Sequence, residues 1–303
     1  MPAAREIRVQ VPASCANVGP GFDALALALG LYLRCTLRPS AGGLRITASG
    51  TDAAAIPQGE SNLVWRTFLK LAGGGAGNNF QLEIANEIPL GRGLGSSAAA
   101  IMAGLALAES WSRSGRGKQR LIEIATELEG HPDNVAAAAL GGLVASCQAA
   151  DDRVLALKSA FPADWRVVLV VPDFQLATEA ARAALPSQYA RRDAVFNVQR
   201  VALLLAAVQN ESPQFLREAM RDRLHQPYRA PLIPGLAEVL SLENVPGMFG
   251  VALSGAGPGV VALCTPAAEA TVGKRIVDCF GAKGIRAEAM PLQVDHNGVT
   301  VEG

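Results

Sequence analysis

The sequence predicts a mixed helix-and-sheet protein of the layered α/β or α+β kind, and three observations carry that prediction. Half of the 303 residues are hydrophobic, enough for a substantial core in one large or two medium domains. Alanine and glycine are abundant while aromatic residues make up 5%, which suits layers whose backbones approach closely. Stretches with apolar residues at every second position intersperse with stretches of helical period, so strands and helices intermingle along the chain.

Residues 7–12 open as a half-buried strand, with Ile7, Val9 and Val11 alternating with Arg8 and Gln10. A rigid Gly19-Pro20-Gly21 turn follows, flanked by Asn17 and Asp23. Residues 24–37 read as a strand or a short helix running into a strand, and residues 44–48 as a further strand. Ser61 and Asn62 cap a helix over residues 63–72, which the Gly73-Gly74-Gly75 run ends. Residues 80–88 alternate as a strand and deliver the chain to Pro89. Helices are expected from Ser96 or Ser97 to Trp111 and over residues 118–128, with Gly130 as C-cap and the basic run 113–120 as a solvated loop between them. Strands are expected at 143–146 and 166–171, with a domain boundary near residue 160. Thr178 and Arg182, four apart, share one helix face. An apolar helix over 197–208, a strand–glycine turn–strand unit over 249–263 and a helix over 267–280 follow. A last strand at 286–291 leaves a short tail.

Most of the functional information lies in Pro89-Leu90-Gly91-Arg92-Gly93-Leu94-Gly95-Ser96-Ser97-Ala98-Ala99-Ala100. Glycines at alternate positions make a poor packed strand, but they let a backbone turn tightly and approach a ligand closely. Serine is a preferred N-cap, so the helix is expected to start at Ser96 or Ser97. A glycine loop feeding a helix N-terminus aims free N–H groups and the positive end of the helix dipole at one spot, which suits a phosphate. No Gly-Lys-Ser/Thr follows, and the spacing is not that of the dinucleotide fingerprint.

Five other segments stand out. Pro12-Ala13-Ser14-Cys15-Ala16-Asn17-Val18-Gly19-Pro20-Gly21-Phe22-Asp23 is on its own an Asx-rich turn. Glu129-Gly130-His131-Pro132-Asp133-Asn134-Val135 is a charged turn after a helix. Thr178 to Pro186 and Asp222 to Arg229 are polar segments closed by prolines. Ser254-Gly255-Ala256-Gly257-Pro258-Gly259 is a glycine turn that could support the phosphate loop from below.

Together, and in this order, these segments resemble the GHMP kinases and, within them, the homoserine kinases, across roughly residues 7 to 265. The resemblance implies an α+β fold of two domains, a ribosomal-protein-S5-domain-2-like half over 1–160 and a ferredoxin-like half over 161–303, with the ligands between them. It implies ATP-dependent phosphorylation of L-homoserine to O-phospho-L-homoserine in threonine biosynthesis. Pro89, Leu90, Gly91, Arg92, Gly93, Leu94, Gly95, Ser96, Ser97, Ala98 and Ala99 would hold the ATP phosphates, and Asn62 would lie near the adenine. Glu129, with Ser97, would bind Mg²⁺, a cation suited by one carboxylate beside phosphate oxygens. Asn17 and Asp23 would hold the ammonium and orient the hydroxyl, with Asn134 at the reacting group where mevalonate kinases have an aspartate. Thr178, Arg182 and Arg229 would complete the substrate site, the arginine forks taking the carboxylate. Gly259 stands where a threonine is common. A homodimer is implied by the same resemblance. Two alternatives stand beside it: another GHMP kinase acting on mevalonate or a related alcohol, and a non-catalytic ligand-binding member of the fold.

Composition narrows the partners. Lysine plus arginine and aspartate plus glutamate both number 27, so bulk electrostatic binding to nucleic acid is not expected. The five cysteines are scattered and form no Cys-x-x-Cys, which fits thiols of a reducing compartment. The three histidines are too far apart in sequence to suggest a metal site. No signal-peptide pattern opens the chain, and the apolar run 24–33 is much too short to span a bilayer, so a cytoplasmic protein without a membrane partner is expected.

Overall fold

The structure, a computed structural model, describes residues 6–73 and 79–303. The chain runs β1 (Ile7–Asn17), β2 (Gly21–Pro39), β3 (Arg45–Gly50), α1 (Leu63–Ala72), β4 (Phe80–Asn86), α2 (Ser96–Ser112), α3 (Gly117–Glu129), α4 (Asp133–Leu140), β5 (Leu143–Gln148) and β6 (Val154–Ser159). It continues with β7 (Arg166–Pro172), α5 (Thr178–Ala183), α6 (Arg191–Gln209), α7 (Leu216–Ala219), α8 (Gln226–Arg229) and α9 (Leu236–Leu240). It ends with β8 (Met248–Leu253), β9 (Val260–Cys264), α10 (Glu269–Gly281), β10 (Ala287–Leu292) and β11 (Thr300–Glu302).

Two sheets result. A seven-stranded sheet has the order β11-β1-β2-β4-β3, with β5 and then β6 added on the other end of the long β2; only β3 and β4 run parallel. A four-stranded antiparallel sheet has the order β10-β7-β9-β8. Helix α2 lies within the main core: its residues from Ala98 to Ala108, apart from Ala100, are buried. A helix apolar on all sides is a buried one. β7 is likewise apolar on both faces because both are covered. Val167, Leu169 and Val171 join the main core, while Val168 and Val170 pack with Ile233, Val272 and Phe280 under α9 and α10.

Residues 24–37 are strand throughout, the first of the two readings given for them. Several other expectations need correction. The first strand does not stop at Pro12 but continues to Asn17, with a register shift between Pro12 and Ala13 where proline has no N–H to give the ladder. The basic run 113–120 is a loop only to Arg116, since α3 begins at Gly117. Strand β6 was not foreseen, and the tail after β10 returns as β11 against Arg8 to Gln10. The helix over 197–208 starts earlier, at Arg191. Gly73 caps α1 at a φ of 78°, while Gly74 and Gly75 lie outside the described residues.

An aromatic cluster joins α1, β4 and α2: Trp65 stacks on Phe68 at 5.2 Å, and Phe80 meets Phe68 and Trp111 edge to face at 5.5 and 5.0 Å. Phe68 is fully buried there. Replacing it with alanine is expected to cost about 3–5 kcal/mol, read as a lower urea midpoint by tryptophan fluorescence.

Candidate active site

The phosphate loop is pinned on both sides. Asn86 shapes its entry by donating to the Thr51 and Ile88 carbonyls at 2.7 and 2.9 Å and accepting from the Ile88 N–H at 3.1 Å. From the β1 side, the Ser14 N–H donates to the Leu94 carbonyl at 3.1 Å. From the β8–β9 turn, Ser254 Oγ donates to the Gly93 carbonyl at 2.7 Å and the Gly259 N–H to the Arg92 carbonyl at 3.2 Å. Gly93 and Gly95 have φ of +76° and +65°. A Cβ on Gly93 would lie 2.1 Å from the Ser254 carbonyl oxygen, and one on Gly95 2.1 Å from Ser14 Oγ. The Ser254–Gly259 turn therefore does support the loop.

Gly95, not a serine, is the N-cap of α2, and no side chain caps that end. Glycine takes the cap because the chain enters the helix from a left-handed turn. The first intrahelical bond runs from the Ala99 N–H to the Gly95 carbonyl at 2.9 Å. The N–H groups of Ser96, Ser97 and Ala98 thus have no intrahelical acceptor and sit at the positive end of the helix dipole. Ser97 Oγ donates to Glu129 Oε2 at 2.8 Å. Arg92 ties the loop to the second sheet: its guanidinium donates to the Pro172 carbonyl and lies 3.8 Å from Asp173.

Beside the loop lies a polar cavity of about 100 Å³, whose lining includes Asn17, Asp23, Asn134, Thr178, Arg182 and Arg229. Asp23 and Arg182 form a bidentate pair at 2.9 and 3.0 Å, both about one-third exposed. Arg182 is held above its ordinary pKa by that bond. Asn17 is buried and works in the frame, donating to the Gly255 carbonyl and accepting from the Asp23 N–H, each at 3.1 Å. Asn134 Oδ1 accepts from Ser14 Oγ at 2.7 Å. Thr178 opens α5, and Arg229 is buried on α8. Burial, and then the Arg182 charge, lower the Arg229 pKa.

A second, largely apolar cavity of about 290 Å³ adjoins the helix end and is lined by Ile56, Pro57, Asn62, Leu90, Ser97 and Ala100 among others. Asn62 caps α1 as expected, accepting from the Trp65 N–H at 3.2 Å, and donates to the Pro57 carbonyl at 2.7 Å.

Two polar side chains of the lining, His131 and Asp133, and Ser14, which supports Asn134, escaped the sequence reading as site residues. Ser14 lay within the singled-out 12–23 segment, but its partner Asn134 is 120 positions away and no local pattern signals that meeting. His131 and Asp133 lay within a motif already singled out; His131 Nδ1 is 2.7 Å from Asp133 Oδ1. With Asp23 these two place ligand atoms within 4.8 Å of one another, so folding does bring a histidine to carboxylates. Their charges are already answered, Asp23 by Arg182 and Asp133 by His131, which fits a polar substrate frame better than a metal set. The donor pair Ser97–Glu129 is the better match for a hard cation: two oxygens, one charged, beside N–H groups that would hold phosphate.

The hydrogen bond that His131 donates to the Asp133 carboxylate raises the His131 pKa, so its proton stabilises the fold fully below about pH 6.5 and that contribution is lost as pH rises through the raised value. The unfolding free-energy difference between wild type and His131→Gln is therefore expected to shrink from about pH 6 to about pH 8.5, in urea titrations at both ends. Gly95→Ala, which collides with Ser14, is expected to weaken nucleotide binding at least about tenfold in calorimetry.

Comparison with known proteins gives the family. The profile described as GHMP kinases N terminal domain matches residues 62–142, and that described as GHMP kinases C terminal matches 204–283. Homoserine kinases of Solibacter usitatus and Desulfitobacterium hafniense are 46% and 42% identical, covering 96% and 97% of this chain and 95% and 99% of their own. The crystal structure of homoserine kinase from Cytophaga hutchinsonii superposes with a TM-score of 0.86 at 29% identity, over 100% of this chain and 99% of that one. Lactococcus lactis galactokinase, at 15% identity and a TM-score of 0.68, shares the fold. On the two family matches and full-length identities of this order, the chain belongs to the GHMP kinases and, within that family, to the homoserine kinases.

Proposed function

We propose that the protein transfers the γ-phosphoryl group of ATP to the hydroxyl of L-homoserine, giving ADP and O-phospho-L-homoserine, a step of threonine biosynthesis. The observation that carries the substrate is the Asp23–Arg182 pair beside the phosphate loop. A pair this exposed contributes little stability, at most about 1 kcal/mol. A zwitterionic amino acid can replace each partner's counter-charge, its ammonium facing Asp23 and its carboxylate Arg182 and Arg229. Mevalonate has no ammonium to offer Asp23.

Phosphoryl transfer needs positioning and charge neutralisation more than covalent help from the protein. The free N–H groups of Ser96 to Ala98 and the backbone of the 89–95 loop suit the triphosphate, and the apolar cavity at Asn62 suits the adenine. Glu129 and Ser97 would hold Mg²⁺, which supplies neutralisation of charge on the phosphate oxygens. Asn134, oriented by Ser14, and Thr178 fix the substrate hydroxyl and its chain. Among the described residues no carboxylate of the cavity stands ready as a base, since Asp133 is engaged by His131 and by the Asn134 N–H, Asp23 by Arg182, and Glu129, bonded to Ser97, is given to the metal. The new O–P bond forms as the bond to the ADP oxygen breaks, and the hydroxyl proton passes to the transferred phosphoryl group.

The domain division near residue 160, where the chain leaves β6 for the second sheet, belongs to the same proposal, as do a homodimer and a cytoplasmic location. Edge strand β6 with its exposed Leu155 and Leu157, and five unpaired cysteines, are consistent with the last two. No helix among the described residues is long and apolar enough to cross a membrane.

The test is ADP release with ATP, Mg²⁺ and one alcohol at a time: L-homoserine, D-homoserine, L-serine, L-threonine or mevalonate. Turnover with L-homoserine alone is expected; turnover with mevalonate instead would discard the substrate residues. Glu129→Gln is expected to lower kcat at least about 100-fold with little change in the KM for L-homoserine.

A further inference from the structure

Between the turn carrying Asn17 and Asp23 and the guanidinium of Arg229 stands a side chain that the transfer itself does not use. His225 is fully buried, its ring stacked on Phe22 with centroids 5.4 Å apart. Its Nε2 lies 2.7 Å from the Gly19 carbonyl oxygen and its Nδ1 3.1 Å from Nη1 of Arg229. A carbonyl only accepts and a guanidinium only donates. Nε2 therefore carries the proton and Nδ1 is bare, so the ring is the neutral Nε2–H tautomer.

The surroundings hold this ring in place. Asp222 Oδ2 accepts from the backbone N–H groups of His225 and Gln226 at 2.9 and 2.7 Å. Asp222 Oδ1 accepts from Asn197, whose amide also donates to the Pro20 carbonyl at 3.0 Å. The Gly19–Pro20 turn is thus tied at two successive carbonyls to the segment bearing Arg229. Arg229 is tied in turn: Nε donates to the Ala181 carbonyl, and Nη1 to the Gly255 carbonyl and His225. Nη2 makes no hydrogen bond among the described residues, which leaves it for the cavity that Arg229 lines.

We propose that His225 is a positioning residue for the substrate, a bridge that fixes the separation between the turn presenting Asp23 and the guanidinium of Arg229. An α-amino acid carries its ammonium and carboxylate on one carbon. A pocket that grips both depends on a fixed distance between its acid and its base. The bridge sets that distance from behind, without touching substrate. This inference rests on the amino-acid reading of the pocket given above.

The experiment separates the two contacts. The glutamine amide nitrogen reaches about as far as Nε2, and the asparagine oxygen about as far as Nδ1. His225→Gln therefore keeps the bond to Gly19, His225→Asn keeps the acceptor for Arg229, and His225→Phe keeps neither. Losing a hydrogen bond to a charged group is expected to raise the KM for L-homoserine about ten- to hundredfold in the Phe variant, with smaller rises in Gln and Asn. The KM for ATP is expected to stay within about twofold of wild type in all three. An unchanged KM for L-homoserine in the Phe variant, or equal rises in both KM values, would overturn the proposal. Nitrogen NMR of the imidazole in the wild-type protein reads the bridge without any substrate: the Nε2–H neutral form is expected at neutral pH, and the other tautomer or an imidazolium would also overturn it. Wild type that fails to turn over L-homoserine while the Nε2–H form is seen would overturn the substrate assignment and, with it, the role given to the bridge.

Discussion

The close approach of the glycine loop to two neighbouring backbones is the constraint on which the rest of the site depends. At Gly93 and Gly95 no side chain fits, because the β8–β9 turn and β1 already occupy that space. Each neighbour also supplies hydrogen bonds, from Ser14, Ser254 and Gly259, so the loop is held by donors belonging to both sheets. Arg92 adds a third tie, to the end of β7. A loop fixed this way presents the first N–H groups of α2 in one direction, with no reorganisation left to be done when a phosphate arrives.

The burial of α2 strengthens the effect. Its N-terminus opens on the cavity while most of its length lies in the core. The helix dipole is therefore poorly screened by water along its body and is felt at the loop. Opposite it, the proposed substrate side is built from charges that answer one another, Asp23 with Arg182 and His131 with Asp133. These pairs keep the cavity near neutral and leave a zwitterion the natural replacement for internal counter-charges. The buried histidine behind them has the opposite electrostatic bias from His131: burial lowers the His225 pKa, which favours the neutral ring its two partners require.

Much of this was legible because it is local. The loop, the helix after it, the Asn62 cap and the shared face of Thr178 and Arg182 all follow from spacings of a few residues. What escaped depends on long-range packing. Ser14 meets Asn134, and Asp23 meets Arg182, across 120 and 159 positions, and no periodicity encodes such meetings. β11 is three residues long, too short to show a pattern, and exists through its register with β1. β6 hides its alternation because the outward Leu155 and Leu157 are as apolar as the inward Val154. The serine cap expected for α2 gave way to Gly95 because the loop's turn demanded a left-handed residue there.

The most direct test is a crystal structure with Mg²⁺, a non-hydrolysable ATP analogue and L-homoserine bound together. The account predicts phosphates on the N–H groups of Ser96 to Ala98, the metal on Glu129 and Ser97, and homoserine with its ammonium on Asp23 and its carboxylate on Arg182 and Arg229. Phosphates held away from the α2 N-terminus, or an amino acid bound with its charges reversed, would contradict it.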